Sequence, residues 1–177
     1  MNKKQFISRL LRERDKFELL MNRAGFVHRM TMKGVEGSWS IKDVIAHIWA
    51  YEQYMADRLD EIARGEVYIP AKTHHALEAF LDQYGYPDFG SPLLDEEGTP
   101  NAWVFEKYRN VALEEIVAQE LQAFTSICST LEKMPEETIR NHNLYDRVAD
   151  NTYRHYHDHL KRIRIWLRTN TASSRNN

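Results

Sequence analysis

From Lys3 to Arg23 apolar residues return every three or four positions, so that Phe6, Leu10, Phe17, Leu20 and Met21 fall close to one stripe. A helix turns about 100° per residue, and this spacing therefore predicts an amphipathic helix over 3–23. A second stripe, Val44, Ile45, Ile48, Met55, Leu59 and Ile62, predicts another from Ile41 to about Arg64. Ser40 precedes it with Asp43 three residues on, a relative of the serine–glutamate capping box, and Gly65 stands where the helix would end. Thr99 with Pro100 reads as an N-cap followed by proline in the first helical position. It opens a helical region to about Lys133, with a break near Asn110, whose apolar residues include Trp103, Val104, Tyr108, Val111, Ile116, Leu121, Phe124 and Leu131. The last helix is predicted from about Leu144 to Arg168, where the basic run "KRIRIWLR" suits the negative pole of the helix dipole.

Between the second and third helical regions, residues 66–99 collect glycine, proline and turn formers. A short helix between Thr73 and Tyr84 fits "THHALEAFLDQYGYP", and "PDFGSPLLDEEGTP" reads as a turn-rich loop. Loops of this length are often functional lids or covers, though many are merely tolerated insertions. Four main amphipathic helices in a chain of 177 residues predict an all-α bundle with a long crossover segment between the second and third. Residues 1–170 are expected to form one domain and 171–177 a disordered tail.

Composition narrows the function classes. Charged residues make up 28% of the chain but the formal net charge is only −2, which gives no general attraction to nucleic acid. No apolar run is long enough to span a bilayer, and the charged start "MNKKQFISRLLRERDKF" lacks a signal-peptide core. The single cysteine, Cys128, excludes an internal disulfide and reads as a buried thiol on a helix. A soluble, cytoplasmic protein without membrane or nucleic-acid partners is expected.

The chemistry concentrates in "RHYHDHLKRIRIW". His155 and His159 differ by about 40° and share a helix face with Val148, Thr152, Ile163 and Trp166, whereas His157 lies roughly opposite and is expected, with Asp158, to face water. A pair at this spacing can chelate one divalent ion, although polar helices also produce it by chance. His47 lies beside the apolar stripe of the second helix, where a lone histidine is more often a neutral core residue with a hydrogen-bond partner. Two histidine positions that both face one core point instead to a metal centre built from facing helices.

"GSWSIKDVIAHIWAYEQYM", "TPNAWVFEKYRNVALEEI" and "NTYRHYHDHLKRIRIWL" together resemble the DinB-like superfamily of four-helix bundles, most closely its ClbS/DfsB-type branch, over roughly residues 3–168. The resemblance implies a three-histidine divalent-metal site on His47, His155 and His159. It also implies thiol-dependent transferase or isomerase chemistry, or protection against a reactive genotoxic metabolite. Three imidazoles without a thiolate suit zinc, nickel, iron or cobalt, and zinc or nickel is favoured here. Three protein ligands leave a position for water, whose pKa zinc can lower to about 7, or for a low-molecular-weight thiol cosubstrate.

Tyr51, Tyr54 and Arg58 continue the His47 side of the helix and are candidates to donate a proton or bind an anionic group, against the commoner reading of such tyrosines as packing residues. Asn151 is placed to orient His155 from behind, or simply to cap or face solvent. Trp49, Trp103 and Trp166 could line a pocket, with core packing as the default, and His74 and His75 are expected to be exposed. The expected function is a metal-dependent hydrolase or thiol-dependent transferase acting on a small reactive molecule. A non-catalytic bundle that sequesters such a molecule, or a structural dimerisation module without metal, stays open, and a homodimer is compatible with the sequence.

Overall fold

The computed structural model describes residues 1–25, 27–65 and 100–173. Most of these are helical. Among the described residues there is no strand, and an isolated bridge joins Glu36 to Trp39. In chain order the helices are α1 (Lys3–Ala24), α2 (Val27–Thr31), α3 (Ile41–Arg64), α4 (Pro100–Tyr108), α5 (Leu113–Lys133), α6 (Glu136–Asn141), α7 (Leu144–Asn151) and α8 (Tyr153–Ser173).

Local sequence accounts for most boundaries. Asn2 and Gln5 cap α1 reciprocally, each side chain bonding the other's backbone N–H. Ser40 and Asp43 do the same for α3, and Gly65 ends that helix at φ 73°, a left-handed conformation that costs glycine nothing. The break near Asn110 falls between α4 and α5, where Ala112 is extended. Two short helices, α2 and α6, escape the periodicity reading because neither completes two turns.

The last helix differs from the expectation of one continuous rod. Thr152 leaves helical geometry at φ −126°, ψ −107°, and its hydroxyl bonds back to the Val148 carbonyl at 2.6 Å. The departure at Thr152 separates α7 from α8; the back-bond alone does not cause it, since Thr125 and Thr169 make the same bond inside unbroken helices. Both His155 and His159 lie beyond the interruption, so their one-turn relationship survives. Helix α8 runs to Ser173, past the expected end at Arg168, and residues 174–177 of the expected tail lie outside the described residues. The crossover 66–99, with its Thr73–Tyr84 helix, also lies outside them.

The four long helices enclose one core: α3 packs most extensively on α5, α1 on α8, and α1–α5 and α3–α8 contacts complete the arrangement. Leu10, Ile48, Ile127 and Ile163 are fully buried within it. Each such side chain contributes about 1.5–3 kcal/mol relative to exposure. Leu121, expected among the apolar positions, is instead 48% exposed. No helix among the described residues is long and apolar enough to cross a membrane.

Candidate metal centre

Helix α3 carries His47 in its second turn, and α8 carries His155 and His159 in its first two. The α3–α8 contact brings the rings together. His47 Nε2 lies 2.7 Å from His155 Nε2, and His159 Nε2 lies 3.1 Å from the same atom. The three ring centroids are 4.6 to 5.1 Å apart. His47 and His159 are buried, while His155 keeps partial exposure.

Burial, followed by the neighbouring His155 and His159, holds the His47 ring down to about 2, and burial with His159 holds His155 down to about 3. Both are therefore neutral at physiological pH, the form that coordinates a metal. Hydrogen bonding alone accounts poorly for the cluster. The single in-plane site on His155 Nε2 faces two other Nε2 atoms, and one ring nitrogen makes only one good hydrogen bond in its plane. Nδ1 of His47 and of His155 are buried without a partner among the described residues, as expected if the chemistry of these rings is directed through Nε2. Three imidazole nitrogens within 4.8 Å of one another suit a borderline-soft divalent cation.

The entrance is built by the loop before α3. Val35, Glu36, Gly37, Trp39, His47, His159 and Arg162 line a cleft of about 550 Å³. The Trp39 ring stands 5.3 Å from His47 and is parallel to Phe105 at 6.3 Å. Glu36 Oε1 meets His159 Nδ1 at 2.6 Å, and its other oxygen accepts from Arg162 at 2.5 Å.

Of the residues expected beside the histidines, Tyr51 is there, its ring 4.8 Å from His47 and 4.7 Å from His155. Tyr54 and Arg58 are buried further along α3, and the Arg58 guanidinium lies 5.5 Å from the Tyr54 ring. The helical rise places them about 10 and 16 Å along the axis from His47, and no described contact joins them to the three rings. Asn151 donates to the Arg147 carbonyl at 2.8 Å and approaches Met55 Sδ rather than His155.

Trp49 packs on Tyr108 and Trp166 is buried in the core. The Trp103 side chain, His74 and His75 lie outside what is described. His157 is exposed and bonds Glu13 at 3.0 Å, while His28 and His142 are exposed elsewhere. Cys128 is partly buried, its thiol pushed up to about 12 by burial and then by Glu52 and Glu132, as suits an inert thiol.

Sequence reasoning missed Glu36, Trp39 and Arg162. The first two sit in an irregular loop, where no period assigns direction. Arg162 had a signal, since it follows His159 by three residues and shares its helix face.

No family model, curated protein or solved structure matches the chain. The residues themselves carry the functional reading.

Proposed function

We propose that the chain is a divalent-metal-dependent enzyme of the DinB-like four-helix-bundle type, acting on a small reactive molecule by hydrolysis or thiol transfer. The approach of three Nε2 atoms from two helices, beside an open cleft that His47 and His159 line, carries this reading. His47, His155 and His159 would hold the ion, with zinc or nickel favoured by the all-imidazole donor set. Such an ion supplies Lewis acidity to an electrophile or lowers the pKa of a thiol.

The chain's own groups do the rest. Trp39 and Val35 give the cleft an apolar wall that excludes water from one side of a bound molecule. Arg162 places positive charge at its rim. Tyr51, whose ring lies against two of the imidazoles, is the candidate among the earlier ones to hand over a proton.

Elemental analysis of protein prepared without a histidine tag tests the reading. One equivalent of zinc or nickel, lost in His155→Ala, supports it. Substoichiometric metal that His155→Ala leaves unchanged overturns it. Full occupancy with no turnover across panels of electrophiles and thiols turns the reading toward sequestration.

A further inference from the structure

Among the three imidazoles, His159 is the one whose second ring nitrogen is held by a described residue. Its Nδ1 lies 2.6 Å from Glu36 Oε1. A nitrogen that close to a carboxylate oxygen must carry a hydrogen, because otherwise lone pair would face lone pair. In a neutral ring, hydrogen on Nδ1 leaves Nε2 bare. Nε2 is also the atom turned toward His155.

The position of Glu36 is fixed from several directions. Its carbonyl accepts from Trp39 N–H at 3.0 Å, closing a turn that Gly37 enters at φ 57°. Trp39 returns the bond through its own carbonyl, which accepts from the backbone of Gly34 and Val35 at 3.0 and 2.9 Å. The carboxylate then spans two neighbours on one face of α8: one oxygen meets His159 and the other Arg162. A side chain held at the backbone, at one oxygen and at the other has little freedom to leave the imidazole.

We infer that Glu36 is the positioning residue of this centre, fixing His159 as the Nδ1–H tautomer and strengthening Nε2 as a donor, with Arg162 keeping the carboxylate in place. Carboxylates behind metal-binding histidines act in this way, and their loss typically weakens metal affinity by about 10–100-fold. The ligand half of the inference rests on the proposed function; the tautomer half does not.

Two measurements on tag-free Glu36→Ala and Glu36→Gln test it, once circular dichroism has shown both variants folded. The first is Zn²⁺ affinity by competition with a chromophoric chelator. The second is the His159 tautomer in chelator-treated protein, by long-range ¹H–¹⁵N correlation. Glu36→Ala is expected to weaken Zn²⁺ by about 10–100-fold and to convert His159 into a mixture of tautomers. Glu36→Gln, whose amide oxygen still accepts from Nδ1, is expected to restore the tautomer and most of the affinity.

An unchanged tautomer in Glu36→Ala overturns the inference whatever the metal does. A shifted tautomer with Zn²⁺ affinity unchanged overturns its ligand half. If the parent binds no Zn²⁺, the proposed function fails and the tautomer measurement alone decides the role of Glu36.

Discussion

His47 Nε2 and His155 Nε2, 108 residues apart in the chain, stand 2.7 Å from each other. Two bare nitrogens at that distance repel, so the native packing of α3 on α8 favours whatever places a cation or a proton between them. A cation that binds the folded chain and not the unfolded one stabilises it by mass action.

Chelator-treated protein is therefore expected to gain stability when zinc is added. At free zinc about 100 times the dissociation constant the gain is about 2.7 kcal/mol. For a domain of this size that raises the melting temperature by about 5–10 °C. His155→Ala removes the ring that meets both others, and scanning calorimetry of this variant should show no shift. An undiminished shift would place the binding elsewhere.

Without metal, the same rings make the fold acid-sensitive. His47 and His155 take up protons at about 2 and about 3 in the folded chain, because burial disfavours their charged forms, but near 6.5 in the unfolded chain. Between those limits the unfolded state binds more protons, so stability is lost as pH falls below about 6.5. Each ring contributes at most about 1.4 kcal/mol per pH unit, and less for His155 with its partial exposure. Urea titrations of chelator-treated parent and His47→Asn at pH 7 and 5 check this through the difference between the two proteins, in which the other titrating groups cancel: the parent should lose more stability than the variant on acidification. Equal losses in the two proteins would mean that His47 titrates in the folded state as freely as in water.

The histidine constellation was legible because it obeys helical arithmetic. The i, i+4 pair and its orientation follow from 100° per residue, and the apolar neighbours of His47 show which way it turns. Helix starts were legible where chemistry marks them, at Ser40 and Pro100. The interruption at Thr152 was not, since a threonine that bonds back to its own preceding turn looks like any other threonine in a helical pattern. Glu36 and Trp39 were out of reach because a loop has no period. Arg14 and Glu120 are a different case. Arg14 follows Leu10 by four residues and precedes Phe17 by three, and Glu120 is midway between Ile116 and Phe124. Each occupies a core position of its stripe, and opposite charges there predict a buried pair.

That pair yields a third expectation. Arg14 meets Glu120 with two nitrogens on two oxygens, both side chains buried, while its Nε reaches Glu18 at 2.9 Å. Removing one partner leaves a buried charge, and Glu120→Leu should cost about 3–5 kcal/mol. Arg14→Met with Glu120→Leu replaces both charges by apolar volume and should recover most of the loss. A double-mutant cycle read by urea denaturation checks this. Additive costs would show that Glu18 and solvent already satisfy the guanidinium.

Glu52 is fully buried beside this pair, and the Tyr156 hydroxyl donates to one of its oxygens. Burial pushes its carboxyl up to about 8 from an ordinary 4.5, against the opposing pull of Arg14 and of the Tyr156 bond. The folded chain keeps this proton up to about pH 8 while the unfolded chain releases it near 4.5, so stability declines as pH rises between those values. Glutamine has the same shape, keeps an oxygen for Tyr156 and cannot ionise. Glu52→Gln is thus expected to match the parent near pH 5 and exceed it at pH 8, with the gap growing by up to about 1.4 kcal/mol per pH unit. Chemical denaturation of both proteins at pH 5, 6.5 and 8 decides the matter: parallel stability curves would mean that Glu52 gives up its proton as readily in the core as in the unfolded chain.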